Sequence, residues 1–158
     1  MTRGYFVVGS YHPKTEENIG TLWRSAVQLG ASAMFTVGRR YRCQASDTMK
    51  THLHTPLYHY IDFADFKAHL PYNAMIVGVE MGGVPVGEFV HPQRAVYLLG
   101  AEDYGLPPEV IAQCHRVVSL QAVAQPSYNV AVAGSIVLYD RVFGSKDRAL
   151  PIDVRSDD

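Results

Sequence analysis

The sequence predicts an α/β fold, a mostly parallel sheet with helices on both faces. Three observations carry that expectation. Apolar runs at 5–9, 33–37, 57–61, 74–80, 95–99 and 117–120 have strand length and end in glycine, proline or polar residues. Helix-spaced stretches alternate with several of them, and alternating strands and helices build a parallel sheet covered on both sides. The 158 residues are 47% hydrophobic and 18% charged, without a low-complexity run. One domain is expected, long enough to bury a full core without disulfides or metal.

The elements follow in order. Tyr5-Phe6-Val7-Val8-Gly9 reads as a buried first strand, and 11–17, with Pro13, as a loop. A helix is expected over 19–29, capped by Asn18 and stopped by Gly30. Leu22, Ala26 and Leu29 form its apolar face, widened by Trp23 and Val27. Arg24 falls on a different face with Gly20 and Gln28, and Gly20 is expected to leave open space beside the guanidinium. By spacing alone Arg24 reads as a solvated surface arginine.

After the strand at 33–37 comes the densest basic stretch, Gly38-Arg39-Arg40-Tyr41-Arg42-Cys43, continuing to Lys50. Arginine with tyrosine can hold phosphate and stack bases, although such runs are usually solvated loops. His52, His54 and His59 lack a carboxylate or cysteine pattern with zinc spacing, so no metal site is expected. They read as exposed or hydrogen-bonded histidines around the strand at 57–61. A short helix over 63–70 ends at Pro71, and Gly82-Gly83 reads as a turn after the strand at 74–80. The glycines at 78–83 lack the G-x-G-x-x-G spacing and no helix follows, which disfavours a dinucleotide fold. Pro107 and Pro108 suit the first turn of a helix reaching Cys114, and the last helix is expected over 130–143, stopped by Gly144. A polar tail covers 146–158 after a single domain at 1–145.

Bulk properties limit the function classes. The net charge of −1 gives no whole-molecule attraction for nucleic acid, so RNA affinity requires a local patch. The two cysteines, Cys43 and Cys114, form no Cys-x-x-Cys and fit a reduced cytoplasm. No apolar run suits a signal peptide or a membrane span, so a cytoplasmic protein is expected.

Function is concentrated in Gln125-Pro126-Ser127-Tyr128-Asn129, which leads directly into small apolar residues. Asn129 is a good N-cap, and Pro126 prevents an earlier start. Polar groups at the mouth of a rigid helix can serve a ligand, although an ordinary capped helix reads the same way. Two further stretches complete a pattern. Asn18, Gly20 and Arg24 form an Asn-x-Gly-x-x-x-Arg segment. Gly100, Glu102, Gly105 and Leu106 form a Gly-x-Glu-x-x-Gly-Leu loop after a strand. With Ser127, Asn129 and Val130 as a Ser-x-Asn-Val segment, the three resemble in order the motifs of the TrmH (SpoU) family of RNA 2′-O-methyltransferases in the SPOUT superfamily. The likeness runs from Gly4 to about Phe143 and matches the minimal single-domain members.

That resemblance implies a C-terminal deep trefoil knot, which pattern reasoning alone would have rejected. It implies S-adenosylmethionine as cofactor, RNA as partner (tRNA first, rRNA second) and a symmetric homodimer. The catalytic set would be Arg24, Asn18, Glu102, Ser127 and Asn129. Cofactor binding would fall to Leu99, Gly100, Glu102, Gly105, Leu120, Ser127, Tyr128 and Asn129, at strand ends where ligands bind in such sheets. By resemblance Arg24 is the catalytic residue. A guanidinium is a permanent cation in ordinary surroundings, so its expected part is to hold phosphate and ribose in line. Arg39, Arg40, Arg42 and Lys50 are expected to contact RNA. Two residues depart from the family pattern: Tyr128 replaces an aliphatic residue, and Gln121 stands where proline is frequent. The alternative reading is an RNA-binding module that keeps the fold without the chemistry.

Overall fold

The computed structural model describes residues 4–41 and 54–144. Its strands are β1 (Tyr5–Tyr11), β2 (Ala33–Val37), β3 (Leu57–Tyr60), β4 (Met75–Pro85), β5 (Arg94–Leu99) and β6 (Arg116–Ser119). Its helices are α1 (Glu16–Leu29), α2 (Phe63–Ala68), α3 (Pro108–Ile111) and α4 (Val130–Phe143). The six strands form one sheet in the order β3-β2-β1-β5-β4-β6, and every pairing is parallel.

Both faces of the sheet are covered, which is why the central strands read as unbroken apolar runs. Alternate side chains divide between two cores. Phe6, Val8, Met34, Tyr97 and Leu99 pack with α1 and α4, whereas Val7, Phe35, Ile76, Val96 and Leu98 pack with Phe66 of α2 and Val110 of α3.

Helices α1 and α4 lie side by side at very close range. A Cβ on Gly134 would fall 2.4 Å from Leu22 Cδ1, so any larger residue would have to displace the Leu22 side chain. Ser135 Oγ donates to the Ala131 carbonyl at 2.7 Å and lies 2.7 Å from Ser25 Oγ. The far half of α4 is fastened to β5 by a partly buried polar cluster. Arg141 Nη1 donates to the Pro92 carbonyl at 2.6 Å and to the Tyr97 hydroxyl at 3.0 Å. His91 bridges that hydroxyl at 2.6 Å and the Asp140 carboxylate at 2.8 Å. Burial pushes the Tyr97 phenol up to about 12.

Several expectations need correction. Helix α1 begins at Glu16, capped by Thr15, whose hydroxyl accepts from the Asn18 backbone N–H at 3.3 Å. Threonine is also a competent cap, and Glu16 and Glu17 favour the helix dipole in the first turn. Gly82-Gly83 is no turn: β4 continues through it to Pro85, with an irregularity between Val79 and Val84. Gly82 has φ +85°, and a Cβ on Gly83 would meet the Val117 carbonyl of β6 at 2.5 Å. These glycines therefore let β4 kink and stay paired. The helix expected to reach Cys114 ends at Ile111 and gives way to turns. Burial raises the unpaired Cys114 thiol to about 11. The space beside Gly20 holds the Tyr41 ring, its hydroxyl 3.2 Å from where a Cβ would stand, and that ring packs edge-on against Trp23. Arg42, Cys43, Lys50, His52 and the tail at 146–158 lie outside the described residues.

Candidate active site

The carboxyl ends of β4, β5 and β6 open into a cleft of about 230 Å³. Val79, Leu99, Leu120, Val130 and Ala133 give it apolar walls, and Glu80, Glu102 and Ser127 give it polar ones. Leu99, Gly100, Glu102, Gly105, Leu120, Ser127 and Tyr128, all expected from the sequence to serve a cofactor, line it. Asn129, also expected there, is not among the lining residues, although Tyr128 and Val130 on either side of it are. Arg24 does not line it and is exposed on α1, without a hydrogen bond or ion pair among the described residues.

One hydrogen-bonded chain joins the three sequence motifs. Asn129 Nδ2 donates to Asn18 Oδ1 at 2.9 Å, and Asn18 Nδ2 donates to Glu102 Oε1 at 3.0 Å. Glu102 Oε2 also accepts the Lys14 backbone N–H at 2.9 Å. Asn129 caps α4 with its other side-chain atom, Oδ1 accepting from Ala131 at 2.9 Å and Val132 at 3.2 Å. Residues 18, 102 and 129 are far apart in sequence, and their contact fixes the two helix N-termini against the β5 loop. Partial burial pushes the Glu102 carboxyl up. The hydrogen bonds from Asn18 and nearby backbone amides outweigh that effect and hold it below the ordinary glutamate value.

The β5 loop is itself closely built. Ala101 and Gly105 exchange backbone hydrogen bonds, Gly105 N to Ala101 O at 2.9 Å and Ala101 N to Gly105 O at 3.3 Å. Gly105 has φ +64°, and a Cβ there would also lie 2.4 Å from Glu80 Oε2. Glu80 Oε2 accepts the Leu106 N–H at 2.8 Å, and its Oε1 accepts the Met81 N–H at 2.9 Å. Sequence reasoning missed Glu80. Its position at the end of the apolar run 74–80, where the pairing of β4 with β6 becomes irregular, was the available signal, because ligands gather outside the ends of parallel strands. Lys14 was missed too, and no motif marks it.

Of the two departures from the family pattern, Tyr128 bonds to the main chain at the other. The Tyr128 hydroxyl donates to the Gln121 carbonyl at 2.7 Å, closing the loop that walls the cleft. Residues 121–129 are all exposed, and no backbone–backbone hydrogen bond is formed by residues 121–128 among the described residues. Backbone N–H and C=O groups of 122–128 that make no backbone–backbone bond among the described residues, beside apolar walls, suit a nucleoside with a flat hydrophobic base and polar edges. The lining is thus compatible with S-adenosylmethionine. Of the basic set, Arg39 and Arg40 are exposed after β2, and Arg39 Nη1 reaches the Pro13 carbonyl at 3.4 Å. Among the described residues, no three His, Cys, Asp or Glu side chains gather as a metal site, and no helix is long and apolar enough to cross a membrane.

Several solved structures share this architecture. One, from work on the 2-OH methylation of C/U34 on tRNA, superposes with a TM-score of 0.77 at 23% identity, over 90% of this chain and 97% of that one. The SpoU methyltransferase AviRb from Streptomyces viridochromogenes, in complex with AdoMet, is 25% identical with a TM-score of 0.73 over 87% of this chain. An AdoMet-bound rRNA methyltransferase from Sinorhizobium meliloti is 25% identical with a TM-score of 0.76, also over 87%. The chain spans 57% and 56% of those two proteins respectively. No curated protein matches the chain by sequence. The family model described as the SpoU rRNA Methylase family matches residues 5–139, the stretch that contains all three motifs, and the chain belongs to that family.

Proposed function

We propose that this protein is an S-adenosylmethionine-dependent RNA methyltransferase that places a methyl group on a ribose 2′-hydroxyl, with tRNA as the first expected substrate and rRNA as the second. The observation that carries the reading is the chain Asn129–Asn18–Glu102, because it links the three family motifs physically at one cleft. Family membership and the two AdoMet-bound relatives support the cofactor. The structure from work on tRNA 2-OH methylation, similar over nearly its whole length, supports the ribose and the tRNA.

When bound, S-adenosylmethionine supplies an activated methyl carbon, so the protein's work is alignment and management of the acceptor proton. Leu99, Leu120 and Ala133 would flank the base, and the backbone of Gly100 and of residues 121–127 would bond its edges and ribose. Asn129 and Ser127 shape the edge of the pocket. Asn18 and Glu102 fix the start of α1, and with it Arg24. The exposed guanidinium of Arg24 would hold phosphate and ribose of the acceptor in line. Arg39 and Arg40 extend the cationic surface for RNA. The reading includes a C-terminal deep trefoil knot, as the resemblance to the SpoU family implies.

The experiment is incubation with methyl-labelled cofactor and total RNA from cells lacking the protein, followed by nucleoside mass spectrometry. A 2′-O-methylated nucleoside is expected. Label confined to bases or to protein refutes the reading. Calorimetry with S-adenosylhomocysteine separates an enzyme from a fold that has kept only RNA binding.

A further inference from the structure

Beside the cleft the β5 loop holds an aromatic ring in solvent. Tyr104 is 91% exposed and makes no hydrogen bond or ring contact among the described residues, yet it lines the cleft mouth. Its support is fixed on three sides. The Ala101–Gly105 hydrogen bonds close the loop beneath it. Glu80 holds the following residue, Leu106, from below. On the other flank Glu102 accepts from Lys14 and Asn18, and the Lys14 ammonium pairs with Asp103. An exposed ring on a mobile loop would lose much entropy when a ligand ordered it. A ring on a fixed loop has already met that requirement.

Its neighbours indicate what the ring meets. The loop abuts the start of α1, and Arg24 lies six residues beyond Asn18, ~9 Å along the helix at 1.5 Å per residue. A polymer with a phosphate near Arg24 and its reacting ribose at the cleft would bring a base across Tyr104. Bases of every kind have a π-face, and stacking on an aromatic side chain is how single-stranded nucleic acid is held without sequence selection. We propose that Tyr104 is an RNA-binding residue whose ring stacks on a base at or next to the methylated nucleotide. This rests on the RNA methyl-transfer reading. It adds a contact that the three motifs do not contain, since position 104 is an unspecified residue of the second motif.

The test uses the full-length protein, Y104A and Y104F, with a total tRNA fraction as the RNA probe. Methyl incorporation gives KM for RNA, filter binding gives RNA affinity, and calorimetry with S-adenosylhomocysteine gives cofactor affinity. Y104A should raise KM and weaken RNA binding roughly 10- to 100-fold, the usual effect of losing one stacked base. Cofactor affinity should stay within twofold, and Y104F should behave as the wild type, because stacking needs the ring and not the hydroxyl. Unchanged RNA binding in Y104A overturns the proposal. So does an equal loss in Y104F, or a loss confined to cofactor affinity. If the wild-type protein transfers no methyl group to RNA, the enzymatic reading falls, while filter binding with Y104A still tests the stacking contact.

Discussion

Replacing Glu102 by glutamine tests the hydrogen-bonded chain most directly. The carboxylate accepts from Asn18 Nδ2 at 3.0 Å and from the Lys14 N–H at 2.9 Å. Glutamine has nearly the same shape but only one acceptor oxygen. If that oxygen keeps Asn18, the amide NH2 faces the Lys14 N–H, donor against donor. Hydrogen bonds to charged groups contribute ~1.5–3 kcal/mol, but this site is partly exposed and water can replace part of the loss. A destabilisation of about 1–2 kcal/mol is expected, lowering Tm by ~2–8 °C for a chain of this size. The pH dependence has a definite sign. The folded carboxyl titrates below its ordinary value, so its ionisation stabilises the fold above that value. That stabilisation fades as pH falls through the lowered value. Thermal scans of both proteins from pH 7.5 to pH 3 should therefore show a gap at neutral pH that narrows in acid, where protonated Glu102 resembles glutamine. No gap at neutral pH, or one that is constant down to pH 3, would refute the reasoning.

Other perturbations separate the parts of the site. Arg24→Ala should lower turnover ~10²- to 10⁴-fold with S-adenosylhomocysteine affinity nearly unchanged, and Arg24→Lys should fare little better if the planar fork is what aligns the acceptor. Asn129→Ala should weaken cofactor binding and, by losing a helix cap worth ~1 kcal/mol, lower Tm by ~2–4 °C; equal loss of cofactor affinity in Arg24→Ala would show the site to be wrongly divided. A symmetric dimer is proposed through α4, where Val132, Tyr139 (59% exposed) and Phe143 (65% exposed) leave an apolar stripe uncovered. Phe143→Glu with Tyr139→Glu should yield a monomer by light scattering, and a wild-type protein that is monomeric at every concentration and still active would remove the idea.

Much of this was legible in the chain. The strands came from apolar runs, since a strand buried on both faces has no polar positions to interrupt it. Helix α4 was readable to the residue because Asn129 caps its start and Gly144 follows its last residue, around a mostly apolar stretch. Elsewhere local signals competed. Thr15 and Asn18 are both plausible caps three residues apart, and α1 started at the first. Gly82-Gly83 has the composition of a turn, but pairing with β6 outweighed it, and the pair became a kink inside β4. The Tyr128 departure gained a role only in the fold, where its hydroxyl donates to the main-chain carbonyl of residue 121, a bond independent of the Gln121 side chain.

The sequence by itself determined the α/β class, the order of elements and the residues of all three motifs, because periodicity, caps and motif spacing are local properties of a chain. Only the tertiary structure decided that Asn18, Glu102 and Asn129 form one hydrogen-bonded chain, that Glu80 and Lys14 support the same loop, and that Arg24 stands outside the cleft while Tyr104 stands exposed at its mouth. Those relations join groups as many as 111 residues apart. They arise where the carboxyl ends of parallel strands and the starts of two packed helices converge, and no local pattern encodes that convergence.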